Sequence, residues 1–114
     1  MSTPKDKPKP IAVTRWGQPQ PPDPEALLRR LRASGRDYST WGNAPGDTYA
    51  VHEHGYRKHL VCLAGGIRFT LPATGEAIDL APGDELDLPP HTPHGAVVGP
   101  RGVRCGEAHL ERSS

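Results

Sequence analysis

The sequence is poor in cysteine, in aromatic residues and in long apolar runs. It has 2 cysteines in 114 residues, and 5% of its residues are aromatic. Without a signal-peptide pattern, two cysteines fit reduced thiols in a cytoplasmic protein better than a disulfide framework. The longest apolar run, Leu60 to Ala64, is far shorter than the roughly 20 residues that cross a bilayer. We therefore expect a cytoplasmic protein that does not enter a membrane.

An excess of charge of one sign is also absent. The 14 Lys and Arg residues nearly balance 13 Asp and Glu residues, so no basic surface for nucleic acid is indicated. The chain also lacks a Gly-x-Ser-x-Gly elbow, a phosphate-binding glycine loop and a Cys-x-x-Cys pair. A metal-dependent site is the chemistry that remains.

Composition divides the chain into a tail and one domain. Residues 1–24 contain seven of the 14 prolines, so residues 1–22 are predicted to be a flexible tail, disordered over 1–10. Within that tail, residues 11–16 are predicted to add a strand to the domain edge. Asp23 then offers a helix cap, and leucines recur at helical spacing up to Gly35. Residues 23–114 are long enough for a single core.

Beyond Ser39 the pattern is typical of strands. Apolar and β-branched segments alternate with Gly and Pro about every eight to twelve residues. The predicted strands cover residues 48–54, 59–64, 67–71, 77–80, 85–88, 95–98 and 103–110. This spacing indicates an all-β sandwich or barrel.

Five of the six histidines fall in two clusters, and four of them lie at positions that bear on metal binding. His52 and His54 are two apart on a predicted strand, so both rings project from one face, close enough to share a metal ion. Two histidines on a solvent-facing side of a strand would alternate in the same way. His91 and His94 follow a Pro-Gly-Asp turn and a proline-rich bend that directs His94 into the next strand.

Together the two clusters resemble the two conserved motifs of the cupin superfamily. The matching positions are Gly46, His52, His54, Leu63 and Gly65 in residues 46–65, and Gly83, Pro89 and His94 in residues 83–98. His91 departs from the second motif, which usually has glycine there. The resemblance covers about residues 41–110 and implies a cupin-type jelly-roll β-barrel, with the predicted short helix on its N-terminal side.

The resemblance also implies a metal site near the open end of the barrel. Cupins hold Fe, Mn, Zn, Ni or Cu, usually on three histidines and one glutamate. Carried over to this chain, the ligands are His52, His54 and His94. Lys58 stands where the family has glutamate, and a protonated lysine cannot ligate a metal. If the loop is one residue longer, His59 takes the fourth ligand position instead.

Lys58 is the main candidate for a role other than ligation. A metal held only by neutral imidazoles, beside an ammonium, would attract a small anionic molecule. Lys58 is then a substrate clamp or a proton-transfer group. Alternatively, it points outward to water or to Glu53.

The last predicted strand and two aromatic residues supply further candidates. Glu107 and His109 share parity, so both can line the cavity mouth. Glu107 either supplies the carboxylate that position 58 lacks, binds substrate, or pairs with Arg104 or Arg68. Tyr56 is a candidate substrate-binding residue, and it borders the pocket together with Trp41 unless both only pack.

These residues lead to two functional hypotheses. The first is a metal-dependent oxygenase, isomerase or lyase that acts on a small anionic organic substrate. The alternative is a non-catalytic cupin that binds or senses such a molecule; a structural dimer with a degenerate site is a third reading. A homodimer is expected in any case, because a small barrel leaves sheet edges that need covering.

Overall fold

A computed structural model describes residues 11–112 of the chain. The predicted disordered segment, residues 1–10, lies outside the described residues. Within the described range the chain forms one α-helix and seven β-strands. They are β1 (Ala12–Thr14), α1 (Pro24–Ala33), β2 (Ser39–Asn43), β3 (Thr48–His52), β4 (Tyr56–Leu71), β5 (Glu76–Leu80), β6 (Glu85–Leu88) and β7 (His94–Arg112). No helix in this range is long and apolar enough to cross a membrane.

The framework is one long antiparallel pair formed by β4 and β7. Their ladder runs from Tyr56 opposite Arg112 to Thr70 opposite Gly95. At one end of the ladder, β6 and then β1 extend the sheet beyond β4, and β2 extends it beyond β7. At the other end, β5 pairs with β4 and β3 pairs with β7. Strands β4 and β7 therefore each have a different outer neighbour at their two ends, which gives two sheet faces around one core. This architecture confirms the predicted all-β jelly roll with one helix.

Four of the predicted strands are halves of these two long strands. The sequence placed turns at Gly65-Gly66 and Gly99-Pro100, and both predictions were wrong because β4 and β7 each continue as one strand through these positions, where the register of their pairing shifts. Gly65 has a φ of 75°, and a Cβ at that position would lie 2.0 Å from the carbonyl oxygen of Gly102. Only glycine permits so close a crossing, so it marks a bend rather than a chain reversal.

Two other strand predictions also need correction. Strand β2 was not predicted, although it begins at Ser39, where the strand-like pattern begins. Strand β3 ends at His52 instead of residue 54, because its ladder to β7 ends where His52 lies opposite His94. His54 therefore lies in the loop that follows β3.

The helix covers the outer face of the sheet, as its apolar spacing predicts. The Asp23 carboxylate accepts a hydrogen bond of 2.9 Å from the backbone N–H of Ala26 and caps the helix. A small outer core lies between α1 and the sheet. Its buried residues are Leu27, Leu28, Tyr38, Val61, Leu63 and Ala108.

The main core lies inside the barrel. Its buried residues are Leu60, Cys62, Ile67, Phe69, Leu80, Leu86, Leu88, Ala96, Val98, Val103 and Cys105. Side chains alternate along β4, so Leu60 joins the inner core while Val61 joins the outer one. Cys62 and Cys105 lie opposite each other as free thiols, and burial raises the pKa of Cys62 to about 12. This thiol therefore stays protonated and packs as a small hydrophobe, as expected.

The segment after residue 10 is attached to the barrel edge. Strand β1 pairs with β6, which confirms the predicted edge strand. Trp16 anchors the segment, since its ring lies so close to Gly83 that a Cβ there would be 2.6 Å from it. The division of the chain at residue 22 stays a prediction.

Candidate metal centre and adjoining cavity

Three histidine rings converge at one side of the inner cavity. Their ligand atoms all lie within 4.8 Å of one another. The ring centroids are 4.8 Å apart for His52 and His54, 4.5 Å for His52 and His94, and 5.4 Å for His54 and His94. Metal–nitrogen bonds of about 2 Å can therefore reach one shared ion after small side-chain movements.

Two of the rings are held in a defined tautomer. His52 Nδ1 lies 2.7 Å from the carbonyl oxygen of Ala50, and His94 Nδ1 lies 2.8 Å from that of Thr92. A carbonyl oxygen only accepts hydrogen bonds, so both Nδ1 atoms carry the proton. In the neutral form of such a ring, Nε2 has a lone pair for a metal, and this is the arrangement by which backbone carbonyls orient metal-binding histidines.

His54 has a buried ring nitrogen without a hydrogen-bond partner. Its Nδ1 lies 3.2 Å from the Tyr56 hydroxyl, but its buried Nε2 has no hydrogen-bond partner in the described structure. Burial, together with the charge of Lys58 and the neighbouring histidines, lowers the pKa of His54 to about 4. Burial likewise lowers the pKa of His94. Neutral rings with an unpaired buried nitrogen fit the requirements of a metal ligand.

A cavity of about 210 Å³ adjoins the histidines. Its lining side chains are Trp41, Tyr49, His52, Lys58, Leu60, Phe69, His94, Ala96 and Glu107. Lys58 points into this cavity instead of outward, and Glu53 pairs with His91. The sequence did not identify Tyr49, Phe69 or Ala96 as lining residues. The alternation of side chains along β4, which places Leu60 inside, can be read from the sequence. The pairing register between strands, which brings the other lining residues to the cavity wall, cannot.

Lys58 and Glu107 form an ion pair on the cavity wall. Lys58 Nζ lies 3.7 Å from Glu107 Oε1, and both side chains are largely buried. Trp41 Nε1 donates to the same oxygen at 2.9 Å, and His109 Nε2 donates to Oε2 at 2.5 Å. Burial lowers the pKa of Lys58, while burial would raise that of Glu107. The hydrogen bonds from His109 and Trp41 and the charge of Lys58 outweigh that effect and lower the pKa of Glu107, so it is a carboxylate.

The structure separates the remaining sequence candidates. Glu107 pairs with Lys58 and not with the arginines considered above, since Arg104 pairs with Glu25 and Arg68 with Asp79. Its oxygens are taken up by Lys58, Trp41 and His109, so it does not join the histidine cluster as the missing carboxylate.

His59 also stays outside the cluster. It follows Lys58 on β4 and faces the outer side of the sheet. Its Nδ1 lies 2.5 Å from the Tyr38 hydroxyl, and its Nε2 lies 2.9 Å from Glu85 Oε1. The alternative that placed His59 as fourth ligand was therefore wrong, because both ring nitrogens are engaged on the opposite face.

Tyr56 supports the site from the side. Its ring stacks between His54, at 4.9 Å, and His109, at 4.1 Å. It is not among the side chains that line the cavity. Its visible contribution is to hold the His54 ring in place.

Comparison with known proteins gives matches in three dimensions. No family model and no curated protein matches the chain. A cupin superfamily protein from Desulfitobacterium hafniense superposes with a TM-score of 0.58 at 18% identity, over 92% of this chain and 81% of that one. The polyketide cyclase RemF from Streptomyces resistomycificus gives 0.58 at 26% identity, over 68% and 56%. KdgF from Halomonas sp. gives 0.53 at 26% identity, over 66% and 68%.

Proposed function

Since this chain is a small cupin in its fold, we propose that it binds one divalent metal ion on His52, His54 and His94. The ion would act on a small anionic organic molecule in the adjoining cavity. The observation that carries the proposal is the buried Nε2 of His54, which has no hydrogen-bond partner in the described residues. It lies beside two rings whose Nδ1 protons are already bonded to carbonyl oxygens.

The donor set fits such an ion and also constrains its ligand. Fe, Mn, Zn, Ni and Cu all accept imidazole nitrogen, and the bound ion would supply a Lewis acid for an oxygen of the substrate. Three neutral rings leave the ion's charge uncompensated, because Glu107 is turned toward Lys58. An uncompensated dication favours an anionic oxygen ligand.

The chain's own residues would orient that molecule. Lys58 presents its ammonium to the cavity, and Leu60 and Phe69 give apolar walls that suit a small hydrocarbon body. We propose an oxygenase, isomerase or lyase reaction. Support comes from the similar structures, one of which is an enzyme, a polyketide cyclase.

A binding or sensory protein is the second candidate. It is favoured by the pairing of Lys58 with Glu107, which reduces the net charge available to assist a reaction. Turnover separates the two candidates: loss of a small oxo acid or diketone in the presence of the metal-loaded protein supports the enzyme, and tight binding without loss supports the sensor.

Metal content is the first prediction. Protein purified without chelator or histidine tag is expected to carry about one ion per chain, as measured by elemental analysis. His54→Ala should lower the metal content to well below one ion per chain, because one of the three donor atoms is lost. His91→Ala is the matched control, since the exposed His91 ring bonds to Glu53 and is not part of the cluster, while alanine keeps the backbone N–H that bonds to His54. Equal metal content in wild type and His54→Ala would contradict the proposal.

A further inference from the structure

Lys58 is the only lysine among the described residues, and it is 8% exposed. Its amine faces a cavity whose nearby walls include Leu60, Phe69 and Trp41. Buried lysines are uncommon unless they are paired. Glu107 is the partner that makes the burial of Lys58 possible. The pairing does not explain why the amine faces an apolar cavity that is large enough for a small molecule.

The ion pair with Glu107 holds this amine loosely. At 3.7 Å, the distance from Nζ to Oε1 exceeds a normal hydrogen bond. The carboxylate itself is fixed more firmly, by Trp41 at 2.9 Å and His109 at 2.5 Å. A fixed counterion beside a loosely held amine leaves the nitrogen able to move toward a molecule in the cavity.

We propose that Lys58 is a reactive amine that forms a reversible imine with a small aldehyde or ketone bound in the cavity. Lysines in desolvated apolar pockets are suited to Schiff-base chemistry, because the compact ammonium gives up its charge more easily there. Burial lowers the pKa of Lys58 and enlarges the fraction of neutral amine, in agreement with the geometry.

The step balances without an oxidant or reductant. The Lys58 ammonium loses one proton to Glu107, and the neutral nitrogen adds to the carbonyl carbon and forms a C–N bond. The carbonyl oxygen takes up that proton and one from the second N–H, and it leaves as water when the C–O bond breaks. The protonated imine carries the same single positive charge as the ammonium, so the Glu107 carboxylate serves as counterion to reactant and product alike.

Glu107 also connects the amine to solvent. Its second oxygen bonds to His109, whose side chain is 52% exposed at the rim. The Glu107 carboxylate therefore lies between Lys58 and the exposed rim of the barrel. Glu107 accepts the proton, and His109 positions Glu107.

Reductive trapping tests this proposal. The full-length protein is mixed with benzaldehyde, an uncharged aromatic aldehyde that needs no metal contact, and with sodium cyanoborohydride, which converts the imine to a stable secondary amine. Peptide mass spectrometry then compares Lys58 with Lys5, Lys7 and Lys9 in the same chain. Lys58 should be labelled several-fold faster, since its burial lowers the pKa of the amine and the neutral amine is the form that adds to the aldehyde. Labelling of Lys58 no faster than that of the other three lysines would overturn the proposal.

Two variants make the result specific to the cavity. Lys58→Arg keeps the charge beside Glu107 and should abolish the fast adduct while the slow ones persist. Arg101→Lys adds a lysine at an exposed position of the folded domain, and it should be labelled at the slow rate. If it is labelled as fast as Lys58, burial in the cavity is not the cause.

The experiment is separable from the metal proposal. It is run with and without a chelator, and the rate of labelling should be similar in both. A protein that holds metal but leaves Lys58 unlabelled refutes only the imine. A protein that is labelled at Lys58 but carries no metal when it is purified without a chelator refutes only the metal centre.

Discussion

His91 adopts a backbone conformation that its residue type disfavours. It has a φ of 60°, and it is the only residue other than glycine with a positive φ in the described range. Its backbone N–H donates a 2.7 Å hydrogen bond to the carbonyl oxygen of His54. The strained residue therefore holds the loop that carries His54, and the glycine usual at this motif position would do so without strain.

Replacing His91 with glycine is expected to stabilise the protein. The gain should be roughly 0.5–1 kcal/mol in the free energy of unfolding, because glycine adopts a positive φ without a steric penalty. Urea denaturation measures it. His91→Ala removes the same imidazole and keeps the Cβ, so it should show no such gain. If the alanine variant is the more stable of the two, the strain is not significant.

Lys58 and Glu107 depend on each other for stability. Both are largely buried, so removing one partner leaves an uncompensated charge. Glu107→Leu should lower the free energy of unfolding by about 3 kcal/mol, whereas Glu107→Leu with Lys58→Met should recover most of that loss. Equilibrium denaturation of the four proteins in the cycle gives the coupling energy. Additive losses would show that the two charges do not interact.

The turn between β5 and β6 binds the edge strand through one carboxylate. Asp84 accepts hydrogen bonds from the backbone N–H groups of Ala81 and Trp16, both at 2.9 Å, and from Arg15 at 3.0 Å. Burial alone would raise the pKa of Asp84, but these bonds outweigh it and lower the pKa below its ordinary 3.8. The stabilising contribution therefore requires the ionised form.

Stability should accordingly fall in acid. Because the folded pKa of Asp84 lies below the unfolded one, its contribution is complete above pH 3.8 and is lost as the pH drops through the folded pKa. Thermal unfolding between pH 2 and pH 6 measures this. Asp84→Asn should be less stable at pH 6 and should lose less on acidification. An unchanged slope in the variant would show that other carboxylates account for the acid sensitivity.

The elements show where inference from sequence reached its limit. The helix, the edge strand and the two histidine clusters followed from capping, periodicity and spacing, all of which are local. The bend at Gly65 was taken for a turn because its cause is the carbonyl of Gly102, a residue far along the chain. The pairing of Lys58 with Glu107 likewise depends on which residues of β4 and β7 face each other. Local patterns do not contain that register.

Strand β3 is one of four edge strands in the described structure, together with β1, β2 and β5. Strand β3 pairs with β7 alone, and all five of its residues are exposed. Val51 on β3 is 57% exposed, and Val97 on β7 is 44% exposed. An antiparallel edge strand is complementary to itself about a two-fold axis. We propose that the homodimer expected from the sequence forms by pairing of β3 with β3 of a second copy.

A charge on this edge should disrupt the dimer. Val51→Lys is expected to give a monomer by light scattering at concentrations where the wild type is a dimer, because edge charges oppose strand pairing. Val13→Lys is the matched control, since Val13 is an exposed valine on β1, at the opposite end of the sheet. A wild-type monomer, or equal effects of both changes, would exclude pairing through β3.

The long pairing of β4 with β7 also determines when the cavity can form during synthesis. All three histidines are synthesised before Glu107, which lies opposite Leu60 in the complete β4–β7 ladder. Until then, Lys58 has neither its counterion nor the second half of its wall. Contacts between such distant parts of a chain form slowly. The nascent protein is therefore expected to expose its three clustered histidines for some time before the Lys58 amine is enclosed.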